Sequence, residues 1–274
     1  MNTDKPSIGL IVIGDEILSG KRQDKHMPKV IELLQARGLQ LAWAHYVGDD
    51  RAAITEVLRQ AFARDGVVLS TGGIGATPDD HTRQAAAAAL GVPLTLHPEA
   101  KALIEQRIRD MCAERGEPYD PNRPDHVQRL QMGCFPEGAT IIPNPYNKIP
   151  GFSCRGPGGG VVHFVPGFPV MAWPMIEWVI DTLHRDLHGR AAQRERSVIV
   201  YGAMEATLTP LMERIEADHP QVRVFSLPSV DHPEHGRHIE LGVKGPPEAV
   251  QIAYDALLAG LRAMAQRLGP EMVR

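Results

Sequence analysis

Residues 8–20 read Ile8-Gly9-Leu10-Ile11-Val12-Ile13-Gly14-Asp15-Glu16-Ile17-Leu18-Ser19-Gly20. The first six form a short, nearly unbroken apolar run, the mark of a strand buried on both faces. An amphipathic segment follows over residues 24–37, with Val30, Ile31, Leu33 and Leu34 on one stripe and Gly38 at its stop. A second strand is expected over 39–47. Asp49 or Asp50 then caps a helix in which Ile54, Val57, Leu58 and Ala61 recur at helical spacing. A third strand over 67–70 leads to an Ala-rich helix over 78–90, closed by Gly91. Strictly alternating strands and helices imply parallel strands joined by right-handed crossovers. The fold class expected is α/β, a three-layer, open, mostly parallel sheet.

Further along, a helix is expected over 98–113, a loop over 115–124 with three prolines, a short helix over 127–132 and strands over 139–143 and 161–165. A helix over 169–187 carries Trp173, Met175, Ile176, Trp178 and Val179, which read as core. The polar stretch HGRAAQRER at 188–196 marks a boundary. It separates a first domain, residues 1–188, from a smaller α+β domain, residues 196–274. In the second, a strand (197–201), a helix (208–217), two strands (222–227 and 237–243) and a helix (247–268) suggest a largely antiparallel sheet.

The 274 residues are 43% hydrophobic and 23% charged, which excludes global disorder. The net charge of -4 and the 5% aromatic content argue against a nucleic-acid partner. No apolar run reaches the roughly 20 residues of a membrane span, and the first seven residues lack the apolar segment of a secretory signal. Cys112, Cys134 and Cys154 show neither a disulfide framework nor zinc spacing, and they read as buried small hydrophobes. A cytoplasmic protein with no membrane partner is expected.

In an open parallel sheet, ligands bind outside the carboxyl ends of the strands. After the first strand, Asp15 and Glu16 offer adjacent carboxylates, read either as metal or hydroxyl ligands or as ordinary turn and cap chemistry. After the third comes Thr71-Gly72-Gly73-Ile74-Gly75-Ala76-Thr77-Pro78-Asp79-Asp80. Its glycines allow close approach of a ligand and expose consecutive N–H groups. Pro78 suits the first position of a helix, whose N-terminus favours phosphate. No Lys-Ser/Thr pair follows, and the third glycine of a dinucleotide fingerprint is replaced by Pro78, so neither of those loops is present. Thr77 and Asp80 also have the spacing of a capping box. Acids beside a phosphate nest make sense with Mg²⁺ or another divalent cation between them. A third group, Asn144-Pro145-Tyr146-Asn147-Lys148-Ile149-Pro150-Gly151-Phe152 followed by Val165-Pro166-Gly167-Phe168-Pro169, reads either as a pocket wall for an aromatic ring, with Asn144 or Asn147 at its edge, or as two structural turns. Asp231, His232, His235 and His238 read as a solvated loop rather than a metal site, because Pro233 and Gly236 interrupt any helical face.

Together, IGDEILSG, TGGIGATPDD, the NP…PGF segment and the PGFP turn resemble the MoaB/Mog-like molybdenum-cofactor biosynthesis domain, and most closely its version in CinA-like competence/damage-inducible proteins. The resemblance covers roughly residues 6–180, and the residues after 196 resemble the α+β module that follows in that family. It implies a domain that binds molybdopterin or an adenine nucleotide, often as a homo-oligomer, with Asp15 and Asp80 at functional positions. It also implies metal-dependent cleavage of a nucleotide pyrophosphate of the ADP-ribose or FAD type. The deamidase module of the family has no counterpart in these 274 residues, and that activity is not expected. The chain departs from the pattern at Ala76 (usually Pro), at Lys25 and His26 after Asp24 (usually Thr-Asn), at Asn147 (usually Gly) and at Met171 (usually acidic). Lys25 and Lys148 could add cationic contacts to a phosphate.

The site so expected has Asp15, Glu16 and Asp80 on a divalent metal, and Asp15, Asp79 and Asp80 in catalysis. Gly14, Ser19, Thr71, Gly72, Gly73, Gly75, Thr77, Asn144, Asn147, Lys148, Pro166 and Gly167 are its expected ligand contacts. The expected activity is pyrophosphate hydrolysis. The alternatives are a non-catalytic molybdopterin binder or carrier and a molybdopterin adenylyltransferase.

Overall fold

Strand β1 (Ile8–Ile13) is buried along its whole length. Ile8, Leu10 and Val12 join one core while Ile11 and Ile13 join another, because successive strand residues point to opposite faces. A strand apolar on both sides is at home only between two helical layers. The computed structural model describes residues 7–189 and 193–274. Residues 1–6, and residues 190–192 within the polar boundary segment, lie outside the described residues. Contacts divide the chain into units of residues 1–191 and 192–274.

In the first unit, β1 is followed by α1 (Asp15–Leu18), α2 (His26–Gln35), β2 (Trp43–Val47), α3 (Arg51–Ala63), β3 (Val67–Thr71) and α4 (Thr82–Leu90). Then come β4 (Leu94–Leu96), α5 (Pro98–Arg115), α6 (Pro124–Leu130), β5 (Cys134–Pro136), β6 (Thr140–Ile142), β7 (Gly151–Arg155), β8 (Val161–Val165) and α7 (Pro169–Trp178). The main sheet has the order β2-β1-β3-β8-β7-β6. Its first four strands are parallel, and β7 and β6 are antiparallel to their neighbours. Val30, Leu33 and Leu34 of α2 pack with Met175 and Ile176 of α7 on one face. Ile54 and Leu58 of α3 pack with Ala85 and Ala86 of α4 on the other. These are the three layers expected, and the carboxyl ends of β1, β3 and β8 emerge side by side.

Several elements differ from the sequence reading. Helix α4 starts at Thr82 rather than at Pro78, because residues 77–80 close into a turn of their own: the Asp80 N–H donates to the Thr77 carbonyl at 3.1 Å. β7 and the small antiparallel pair of β4 and β5 are absent from the sequence reading; they are three to five residues long, and Pro93 before β4, Pro136 at the end of β5 and Gly151 at the start of β7 obscure them. Past Trp178, α7 widens into a π-helical turn over Val179–Leu183. Met175, Ile176 and Val179 are buried and Trp173 and Trp178 pack against them, as read.

The second unit contains β9 (Arg194–Tyr201), α8 (Glu205–Asp218), β10 (Arg223–His232), β11 (Gly236–Gly245), α9 (Pro247–Ala263) and β12 (Arg267–Val273). Its antiparallel sheet has the order β10-β11-β9-β12, which with β-α-β-β-α-β succession is the ferredoxin-like arrangement. The core is formed by Val198, Val200, Leu241 and Val243 against Leu208, Leu211, Tyr254 and Leu257. The helix read over 247–268 stops at Ala263, and the edge strand β12 replaces its end. Gly269 and Pro270 hide that strand in the sequence; they sit where its register shifts against β9, a place an edge strand tolerates. Among the described residues, no helix is long and apolar enough to cross a membrane.

Candidate functional site

β3 ends on buried Thr71, and the chain then turns through Gly72 (φ 99°) and Gly73 (φ 68°), backbone states that glycine adopts without strain. A Cβ on Gly72 would stand 2.2 Å from the Ile13 carbonyl oxygen, and one on Gly73 would stand 2.1 Å from Thr82 Oγ1. The loop is therefore folded tightly against the end of β1 and the start of α4. Its hydrogen bonds agree: Gly72 N–H donates to the Val165 carbonyl (3.1 Å), Thr82 N–H to the Gly73 carbonyl (3.0 Å) and Thr82 Oγ1 to the Gly72 carbonyl (3.0 Å). Asp80 accepts from both the N–H (2.8 Å) and the hydroxyl of Thr77, so the acid staples the turn. Between these fixed points, the N–H groups of Gly73, Ile74, Gly75 and Ala76 donate to no acceptor among the described residues. Consecutive unpaired N–H groups of this kind form an anion-binding concavity.

A cavity of about 360 Å³ opens beside this loop, within the range of small-molecule sites. Residues 73–77 and Asp80 line one side, and Met132, Asn144, Asn147, Ile149, Pro150, Pro166, Gly167, Phe168 and Met171 line the rest. The glycine loop and the two Pro/Gly turns, far apart in sequence, thus build one pocket. Asn144 is buried and its side chain is consumed by the loop: Nδ2 donates to Asn147 Oδ1 (2.8 Å) and the Ile149 carbonyl (2.9 Å), and Oδ1 accepts from Tyr146 N–H (3.0 Å). Among the described residues, Asn147 Nδ2 has only the Met171 sulfur, at 3.3 Å. Of the two amides, Asn147 is the one free to read a ligand. Behind the other turn, buried His26 contacts the Gly167 carbonyl through Nε2 at 2.9 Å. Arg83, also buried, donates to the Gly75 carbonyl at 2.6 Å and to the Gln131 carbonyl. In the sequence His26 stands out only as a departure from the family pattern, and Arg83 does not stand out at all. Each lies in a helix whose pattern reads as packing, and only the fold brings it under the loop.

Of the acidic residues singled out, Asp80 lines the cavity, and Asp15, Glu16 and Asp79 do not. Asp15 and Asp49 clasp each other's backbone: Asp15 N–H donates to Asp49 Oδ2 (2.9 Å) and Asp49 N–H to Asp15 Oδ1 (3.2 Å). Burial pushes the Asp49 pKa up, opposed by that Asp15 N–H and assisted by the charges of Asp15, Glu16 and Asp79. Asp49, just past β2, thus feels the charges of Asp15, Glu16 and Asp79, and carboxylates are the donor type a hard cation prefers. Asp15, Glu16 and Asp80 are not gathered into a ready cage, however; among the described residues no three His, Cys, Asp or Glu side chains are so arranged. Asp80 is spent on Thr77.

Of the expected ligand contacts, Gly73, Gly75, Thr77, Asn144, Asn147, Pro166 and Gly167 line the cavity, and Gly14, Ser19, Thr71, Gly72 and Lys148 do not. Gly72 and Thr71 support the loop from below. Lys148 is held in the left-handed region (φ 64°) and pairs with Asp110 at 2.6 Å on the exposed side of α5. The Asp231–His238 stretch is not a loop: β10 and β11 run almost to its tip, His238 is buried, and the three imidazoles pack with ring centroids 4.9–5.6 Å apart. Cys112 and Cys154 are buried, as read, and Cys112 Sγ lies 3.8 Å from His126 Nε2.

A family model described as a probable molybdopterin binding domain matches residues 9–185. A protein of Pyrobaculum calidifontis is 32% identical over 259 residues, covering 93% of this chain and 94% of its own length. A CinA-like protein of Syntrophotalea carbinolica is 31% identical over 222 residues, covering 77% of this chain; this chain spans 50% of that relative. Among solved structures, the CinA protein of Thermoplasma acidophilum, described as of unknown function, superposes with a TM-score of 0.54 at 28% identity. The match covers 68% of this chain and 99% of that one.

Proposed function

Because the chain belongs to the MoaB/Mog-like family of probable molybdopterin-binding domains, we propose that its cavity binds a phosphorylated pterin or a nucleotide, and that the protein cleaves a nucleotide pyrophosphate with a divalent metal. The observation that carries the reading is the run of four unpartnered N–H groups at residues 73–76 along one side of a pocket whose other side is largely apolar. A phosphate sits on those amides. A flat ring lies against Ile149, Pro150, Phe168 and Met171, with Asn147 Nδ2 donating to its edge.

Asp15 and Asp49 are the residues that would hold Mg²⁺ or a similar cation just past the ends of β1 and β2, where one or two carboxylates plus substrate phosphates suffice for such an ion. Bound there, it would supply charge neutralisation and polarisation of the phosphoryl group. Asp80 keeps the phosphate loop in shape through Thr77, and exposed Asp79 is the candidate base for the attacking water. A non-catalytic binder or carrier is the second reading, favoured by the absence of a three-carboxylate set among the described residues. Adenylyl transfer to molybdopterin would use the same amides. Homo-oligomeric assembly belongs to the same proposal and is checked by sedimentation equilibrium.

The test incubates the protein with ADP-ribose or FAD and with Mg²⁺, Mn²⁺, Co²⁺ or EDTA, beside Asp15→Ala and Asp49→Ala. Pterin binding is followed by fluorescence in parallel. Metal-dependent cleavage that both variants lose supports the hydrolase. Ligand bound but intact under all conditions leaves the binder. Neither binding nor cleavage, from folded protein, overturns both.

A further inference from the structure

Arg83 is the second residue of α4 and is only 4% exposed. Its guanidinium lies behind the cavity lining, where it ties Gly75 of the glycine loop to Gln131, the chain neighbour of the lining residue Met132. Both partners are neutral carbonyls. Nε has no partner, and no Asp or Glu among the described residues forms an ion pair with this side chain. Asp80, whose charge acts on it, is already engaged with Thr77. Burial lowers the Arg83 pKa, opposed in part by Cys134 and by the charge of Asp80, neither of which forms an ion pair with it. Such a charge is costly in an empty protein. It becomes favourable when an anion lies beside it, and the unpaired amides of residues 73–76 are the adjacent anion site.

We infer that Arg83 is the buried counter-charge of this pocket, a specificity-determining residue that favours a multivalent anion such as a diphosphate over a single phosphate. The inference rests on the proposed reading of the glycine loop as a phosphate site. The N–H groups position the ligand oxygens, while the guanidinium behind them supplies a full positive charge in a desolvated setting, where it is screened least.

The probe is inorganic pyrophosphate, titrated by calorimetry into the full chain and into Arg83→Lys and Arg83→Gln. The unliganded melting temperatures are recorded for all three. Arg83→Lys is expected to bind about tenfold or more tighter than Arg83→Gln, while Arg83→Gln melts no lower than Arg83→Lys without ligand. A purely structural bridge to two carbonyls would instead leave the two variants binding alike, and that result overturns the inference while leaving the phosphate site in place. If the wild-type chain does not bind pyrophosphate at all, the reading of the loop fails and the inference falls with it. Should Arg83→Gln not fold, the wild-type chain decides: about tenfold or more tighter binding of pyrophosphate than of phosphate is expected, and equal affinity overturns the inference.

Discussion

Asp80 has two possible duties, and one substitution separates them. Its carboxylate accepts from the N–H and the hydroxyl of Thr77, which a neutral amide oxygen can also do. Asp80→Asn should therefore keep the loop and the binding of pyrophosphate while losing turnover, if the negative charge serves catalysis. Unchanged turnover, measured by product release from ADP-ribose, would leave Asp80 as a staple only. Asn144→Ala is expected to act on stability, because it strands the Ile149 carbonyl and the Tyr146 N–H in a half-buried loop. The loss should be about 1–3 kcal/mol by urea denaturation, with pyrophosphate binding weakened as the 144–150 wall loosens. The residues concerned were legible in the sequence, but their partners were not. That Asn144 turns inward and Asn147 stays available follows from the path of residues 144–150, which no local pattern specifies.

Two contacts at the end of α7 give predictions at the scale of whole elements. Arg37, just past α2, forks onto Asp181 and also reaches Glu177 (2.9 Å) and the Leu33 carbonyl (2.9 Å), tying two helices that cover one face of the sheet. Arg37 holds the Asp181 carboxyl below its usual range. The pair's contribution is thus present above the ordinary carboxylate pKa and is lost as pH falls through the lowered one. Arg37→Ala should cost about 1 kcal/mol at neutral pH, and the difference from wild type should shrink on acidification, as denaturation series at several pH values would show. The second contact is a buried chain: Ser153 on β7 meets His163 Nδ1 on β8 (2.7 Å), and His163 Nε2 meets His184 Nε2 (2.7 Å). Burial, reinforced by His184 and Arg155, pulls the His163 pKa down to about 3. The unfolded chain then binds the extra proton between about pH 6.5 and 3, so stability is lost as pH is lowered through that window. His163→Gln should flatten that slope in calorimetric melts even if it lowers stability at neutral pH.

At the scale of the molecule, each unit has its own core, and every cavity-lining residue lies between Gly73 and Met171. A chain of residues 1–189 is expected to fold alone and to bind pyrophosphate with an affinity within about threefold of the full chain, since no lining residue is removed. Loss of binding in a folded fragment, measured by calorimetry, would mean that residues 193–274 act on the site. The long elements of the first unit could be read because each repeats a strong local pattern: continuous apolar strands, 3.6-residue stripes, glycine stops. β12 could not be read, because a strand interrupted by Gly269 and Pro270 owes its form to pairing with β9 rather than to propensity.

The sequence by itself therefore determined the three-layer α/β architecture and the glycine loop at the end of β3, since burial on both faces and close backbone approach leave marks in neighbouring residues. Tertiary structure alone decided which loops share a pocket. Parallel pairing of β3 with β8 sets residues 73–77 beside the 166–171 turn, while the clasp of Asp15 and Asp49 ties the first acidic turn to the end of β2. Strand order is set by which crossovers bury the most apolar surface over the whole sheet, and no local stretch of sequence contains that sum.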